Sequence, residues 1–205
     1  EMEIADVRTE TSYYSYKKNT EKRIRFFPEL SSIRGLEKWE LAVFTEGDDP
    51  LRVLSGGKEL PGFIDWDCRD KDGDPLDDGD YSFRFTAWYN SGNTPSSFPK
   101  RIVFDSTPPE VTISGEPDLF SPDGDGENDY LTLDMRGTDN IGIASWEIGI
   151  FNESGILFKK FTGKGDVPQQ LKWDGTGESG DLVESASDYE IQFSATDVAG
   201  NVSEK

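Results

Sequence analysis

Histidine is absent from the 205 residues, and cysteine occurs once, at Cys68. Without histidine there is no imidazole for acid–base catalysis or for metal ligation. A single cysteine excludes an internal disulfide and is silent about compartment, because many exported bacterial proteins carry no disulfides. No run of about 18 apolar residues occurs, so neither a transmembrane helix nor direct membrane insertion is expected. The start shows no secretory leader pattern, and opening at Glu1 and breaking off at Lys205 are expected of a piece of something longer. Positive charge is scarce as well. There are 21 Lys+Arg against 41 Asp+Glu, a net −20. The imbalance is concentrated in the second half: residues 1–107 hold 15 basic and 21 acidic side chains (−6), residues 108–205 hold 6 and 20 (−14). Such a surface repels nucleic acid and anionic lipid and suits contact with divalent cations. Catalytic constellations are missing too. No base stands ready for a Ser or for Cys68, no Walker-type loop occurs, and the many carboxylates sit in turns without an apolar cleft to raise one pKa. The chain is read as not an enzyme.

Against these absences stand 13 Phe, 7 Tyr and 5 Trp, enough aromatic surface to build a core. Glycine (21) and proline (11) mark many turns. The chain also aligns with itself at a shift of 107 residues. Trp39-Glu40-Leu41-Ala42-Val43-Phe44 falls on Trp146-Glu147-Ile148-Gly149-Ile150-Phe151, Pro61 on Pro168, and Trp66-Asp67 on Trp173-Asp174. One extra residue in the second copy then brings Asp80-Tyr81 onto Asp188-Tyr189, and Phe83, Phe85, Ala87 and Gly92-Asn93 onto Ile191, Phe193, Ala195 and Gly200-Asn201. A period near 100 residues means whole domains in tandem, since solenoid repeats are roughly 20–50 residues long. Within each copy the period is two: Tyr81, Phe83, Phe85, Ala87 and Tyr89 share one face, Ser82, Arg84, Thr86 and Trp88 the other. Strands are expected at 23–27, 39–45, 130–134, 146–151, 156–161 and 189–196, with Arg101–Phe104 closing the first copy and Val111–Ile113 opening the second. The fold class expected is all-β: two tandem immunoglobulin-like β-sandwich domains over residues 1–107 and 108–205, joined stiffly at Pro108-Pro109.

Three stretches resemble known families. Trp173-Asp174-Gly175, Gly180, Val183, Tyr189 and Ala195-Thr196-Asp197-Val198-Ala199-Gly200-Asn201 resemble the C-terminal half of the Ig-like domain of flagellar hook-capping proteins. Ala186 or Ser187 stands where that family has glycine, and copy 1 is looser, with Cys68 for the Gly and Tyr89 for the Asp. The Asp105-to-Pro109 joint and Thr138-Asp139-Asn140-Ile141-Gly142-Ile143 resemble bacterial Ig-like modules strung along large surface proteins. Phe120-Ser121-Pro122-Asp123-Gly124-Asp125-Gly126-Glu127-Asn128-Asp129 resembles the opening of gliding-motility-associated C-terminal domains. These resemblances imply fold and an extracytoplasmic setting, periplasmic or cell-surface in a Gram-negative-type bacterium, and no reaction.

Asp123, Asp125, Glu127 and Asp129 recur every second residue, spaced by Gly124, Gly126 and Asn128. A compact loop of carboxylates and carbonyls suits Ca²⁺, which takes about six to eight oxygens; the same acids equally serve as caps for local backbone donors. In copy 1 the register places Tyr16–Lys22, with three lysines, over that loop. A second acidic run, Asp70, Asp72, Asp74, Asp77, Asp78 and Asp80, reads as an exposed hairpin with a weaker claim to a cation. The repeated tryptophans are read as core. Trp88, matched by Thr196, lies on the polar face with Arg84 and, with Tyr14, makes the candidate contact surface. The function expected is a structural spacer within a larger surface or periplasmic protein, stabilised by Ca²⁺. An adhesin-type or carbohydrate-binding module, or a flagellar or envelope scaffold, stands as the alternative. Partners are other domains of the same polypeptide or a cell-envelope protein.

Overall fold

A computed structural model describes residues 3–15, 23–45, 47, 49–184 and 187–203. The copy 1 segment Tyr16–Lys22 lies outside these residues. Among the described residues every regular element is a strand: β1 Ala5–Thr9, β2 Tyr13–Tyr14, β3 Ile24–Leu30, β4 Leu36–Phe44, β5 Pro50–Gly56, β6 Ile64–Trp66, β7 Gly79–Tyr89, β8 Lys100–Phe104, β9 Glu110–Glu116, β10 Leu131–Thr138, β11 Ile143–Asn152, β12 Leu157–Lys164, β13 Gln170–Trp173 and β14 Tyr189–Asp197. They divide between two compact units, Glu1–Ser106 and Thr107–Lys205. The fold is an immunoglobulin-like β-sandwich. In the first unit a sheet ordered β1-β3-β6 faces one ordered β2-β8-β7-β4-β5; in the second, β9-β10-β13 faces β12-β11-β14.

The alternation read along residues 81–89 is what builds the first core. Tyr81, Phe83, Phe85, Ala87 and Tyr89 are all buried, whereas Ser82, Arg84, Thr86 and Trp88 are not. Fully burying a side chain such as Phe83 or Phe85 is worth about 1.5–3 kcal/mol, so the face of β7 is fixed by its period. Trp66, Phe26 and Phe104 complete that core. In the second unit Leu133, Ile148, Ile150, Trp173 and Phe193 play the same part.

The repeat extends to individual hydrogen bonds. The indole N–H of Trp66 donates to the Arg69 carbonyl at 2.9 Å, and that of Trp173 to the Thr176 carbonyl at 3.0 Å. The turn after each tryptophan then closes identically: Leu76 N–H donates to Cys68 O as Val183 N–H does to Gly175 O, and Asp70 N–H to Asp74 O as Gly177 N–H does to Asp181 O. This turn needs a left-handed residue. Gly175 sits at φ 79° and Cys68, its counterpart, at φ 55°, a region that disfavours a Cβ. Trp39 and Trp146 also occupy equivalent places, each facing a glycine across the strand pair, Gly56 and Gly163. Trp39 is buried and Trp146 half-buried.

Across β3 and β6, Arg25 grips Asp65 with two bonds, Nε to Oδ1 at 2.8 Å and a terminal nitrogen to Oδ2 at 3.0 Å. The guanidinium also lies 3.9 Å from the centre of the Phe63 ring. Arg25 holds the Asp65 carboxyl below the usual carboxylate range, and Lys100, 2.7 Å from Asp6, does the same for Asp6. A depressed folded pKa contributes stability that is present above the unfolded value, about 3.9 for Asp, and lost as pH falls through the folded one. The melting temperature should therefore drop as pH falls below about 4, and Asp65→Asn should make that drop shallower. An identical acid limb in wild type and variant, followed by circular dichroism, would show that the pair contributes nothing to it.

Candidate functional site

The second unit gathers most of the unusual chemistry. After β9 the chain forms the loop 117–130, and its geometry is set by its own carboxylates. Asp129 accepts from Gly124 N–H at 2.7 Å through Oδ1 and from Gly126 N–H at 2.9 Å through Oδ2. Asp123 Oδ1 accepts from Asp125 N–H at 3.1 Å, and Asp125 Oδ1 from Glu127 N–H at 2.8 Å. Gly124, Gly126 and Asn128 take positive φ to let the loop coil. Carboxylate oxygens of Asp123, Asp125 and Asp129 come within 4.8 Å of one another, with the first two exposed. Glu127, the remaining residue of the expected set, is not in this group. Each of the three aspartates caps at least one backbone donor of the loop.

The other acidic run behaves as a turn. Asp70 Oδ1 accepts from the N–H groups of both Asp72 and Asp74, Asp78 binds the Ser106 N–H and hydroxyl, and Asp80 is bonded by Arg101. Among the described residues none of these six belongs to a group able to share a metal.

The expected contact surface is not one surface. Trp88 and Arg84 do share the outer face of β7. There Lys38 Nζ sits 4.0 Å from the centre of the Trp88 ring, and Arg84 lies over Phe44. Tyr14 packs instead against the core of the first unit, its ring 6.1 Å from that of Phe104, and burial pushes its hydroxyl pKa up. The short parallel pairing of β2 with β8, Tyr13 to Val103 and Tyr14 to Phe104, fixes this direction.

Two features went unread in the sequence. Asp139 and Asp197, each part of a motif noted only for its resemblance, bring carboxylate oxygens within 4.8 Å of each other in the second unit. Asp139 Oδ1 caps Ile141 and Gly142, and Asp197 accepts from the backbone and side-chain amides of Asn201. Asp197 is 1% exposed. The signal was the Asx-type spacing of Asp139-Asn140-Ile141-Gly142 and Asp197-x-x-Gly200-Asn201, whose meeting requires β11 to pair with β14. The second feature is a cavity of about 780 Å³ in the second unit, lined by Phe120, Leu131, Trp173, Val183, Tyr189 and Ile191 among others. Phe120 rests against Trp173 at 5.4 Å between ring centres.

No family model and no curated protein matches the chain. Among solved structures it is similar to the fibronectin(III)-like modules of Clostridium thermocellum CbhA, at 16% identity over 97% of this chain and 90% of that one, with a TM-score of 0.50. It is also similar to part of a 1.5-MDa bacterial ice-binding adhesin (11% identity, 98% of this chain, 62% of that one, TM-score 0.47). A third similarity is to a tetra-tandem repeat in the extending region of a large adhesion protein (16%, 98% and 47%, TM-score 0.40). The likeness to the CbhA modules concerns the fold, a fibronectin-III or Ig-like sandwich.

Proposed function

We propose that the chain is a non-catalytic structural module, two Ig-like domains over 1–107 and 108–205 acting as a spacer within a larger bacterial surface or periplasmic protein. The observation that carries this reading is the duplication itself: the same Trp-centred turn recurs with the same hydrogen bonds at a shift of 107 residues. Selection that preserves a unit's internal scaffolding, while its outer acids and lysines diverge, favours mechanical repetition over a conserved ligand surface. The neighbours it serves are other domains of the same polypeptide or a cell-envelope protein. The adhesin-type alternative draws on Trp88, but that ring is half-buried beneath Lys38 and offers a smaller platform than an open indole.

Pulling single molecules of the full chain should give two unfolding events, each releasing roughly 30 nm of contour from about 100 residues. One event releasing the whole length would sink the tandem spacer. Saturable retention on a glycan or protein array that Trp88→Ala abolishes would replace it with the binding reading.

Ca²⁺ held by Asp123, Asp125 and Asp129, with Glu127 at the rim of the loop, stabilises the second domain. The expected affinity is weak, about 10⁻⁴ to 10⁻³ M as at extracellular sites. Calorimetry on the whole chain should show uptake by wild type and loss of it in the Asp123→Asn/Asp125→Asn double variant, whose backbone caps survive. Absence of heat and of any melting shift at millimolar Ca²⁺ would leave these aspartates as turn caps alone.

A further inference from the structure

Among the described residues, β5 ends its sheet in the first unit and β12 its sheet in the second, each paired on one side, with β4 and with β11. The two strands are counterparts at the shift of 107. In the first unit the chain runs on through β6, β7 and β8 without setting a strand beside β5, so this edge belongs to the fold itself. An edge strand turns a row of N–H and C=O groups outward, a template on which another copy's edge can pair.

Both edges are interrupted at the same place. The ladder slips between Val43 and Phe44 opposite β5, and between Ile150 and Phe151 opposite β12, so the register skips Leu51 and Phe158. Such a bulge bends an edge away from straight pairing. The turn that follows each core tryptophan crosses the strand at this point. Lys71 N–H donates to Leu51 O at 3.0 Å, and Glu178 N–H to Phe158 O at 2.8 Å. The next strand residue then ties the turn down: an Arg52 terminal nitrogen donates to Asp70 O at 3.0 Å, and Lys159 Nζ lies 3.9 Å from Glu178 Oε1. In the second unit Glu178 Oε1 also accepts from Lys160 N–H at 2.9 Å.

The contact is closely fitted. A Cβ on Gly177 would stand 2.9 Å from the Phe158 ring. In the first unit Asp70 holds the place of Gly177 and Leu51 that of Phe158, so a smaller strand residue leaves room for a larger turn residue. Little of the edge stays open. Backbone groups of an antiparallel pair turn toward and away from the partner alternately; with Lys160 turned outward and capped, Thr162 and Lys164 are what remains of β12. The turns are acidic as well, with Asp70, Asp72 and Asp74 in one and Glu178 and Asp181 in the other, so two covered edges repel each other.

We infer that the turn after each tryptophan is a strap over a latent interaction surface, the edge of β5 or β12, which without it pairs antiparallel with the same edge of a second copy of the chain. Like edges suit each other because a two-fold axis makes an antiparallel ladder self-complementary. The strap keeps tandem modules of one sequence from zipping together.

The test uses the 205-residue chain with Glu178→Pro, which lacks both the N–H that meets Phe158 O and the carboxylate that caps Lys160. Sedimentation equilibrium should show self-association about tenfold stronger than in wild type or more, as two or more new main-chain bonds would give. Amide exchange in the associated form should slow between Lys160 and Lys164. Adding Thr162→Pro, which removes an outward donor, should return the chain to monomer. Should Glu178→Pro fail to fold, the Gly177→Ala/Glu178→Ala double variant takes its place, losing the Lys160 cap and forcing a methyl against Phe158. Three results would overturn the inference: a folded variant that associates no more than wild type, association that Thr162→Pro leaves unchanged, or slowed exchange confined to residues away from β12.

Discussion

Trp66→Ala should destabilise the first unit by about 3–5 kcal/mol, the range for removing a large aromatic side chain from a core. Trp66 is 0% exposed and stands at the centre of the aromatic cluster, 6.3 Å from Phe26 and 6.2 Å from Phe104 between ring centres. Its indole N–H also ties the core to the turn that follows by donating to Arg69 O. Truncation opens a cavity and frees that carbonyl at once. Domains of this size have total stabilities of about 5–15 kcal/mol, so the variant's first unit should approach unfolding at room temperature. Hydrogen exchange during urea titration of the full chain reads the two units separately, which tryptophan fluorescence cannot do once a reporter is removed. A loss below about 1 kcal/mol would mean the core closes over the gap, at the low end of what cavity formation allows.

The second large effect comes from adding one carbon atom. A Cβ placed on Gly163 would stand 2.3 Å from the Trp146 ring, and one on Gly56 would stand 2.4 Å from the Trp39 ring. Both distances are far inside contact, and a ring held between strands has little freedom to retreat. Gly163→Ala should therefore cost about 2–3 kcal/mol as an overpacked site. Replacing Trp146 by leucine in the same chain should recover part of that loss, because the clash belongs to the pair. Additive effects in the double variant would show that Gly163 matters for its backbone and not for the indole. Gly56→Ala should behave alike, with more at stake because the Trp39 indole N–H also bonds Glu59 O at 3.0 Å.

Much of the fold was legible in the residues. The stretches read as strands, 81–89, 101–104 and 111–113 among them, all fall on observed ones, most of them shorter than the strand by a few residues, because strand ends are set by pairing partners while the alternation marks only the middle. β1, β2, β5, β6 and β13 were passed over, β2 being only two residues long. β6 and β13 are three and four residues long, too short for a period to register. β5 carries intermediate and exposed positions throughout, since it lies at the sheet edge where neither face is fully covered. In the acidic loop, Asp123, Asp125 and Asp129 converge as their spacing implied, whereas Glu127 does not join them.

The sequence by itself determined the duplication, the inward parity of each long strand and the chemistry of the turns. These are local properties: a period of two forces alternate side chains onto opposite faces, and a left-handed turn selects Gly175 or tolerates Cys68 at known cost. Tertiary structure alone decided which strands lie side by side. Parity says that Tyr14 and Trp88 each have a face; only the pairing of β2 with β8 turns Tyr14 toward the core and away from Trp88. Likewise Asp139 and Asp197, 58 positions apart in the numbering, meet because β11 and β14 pair.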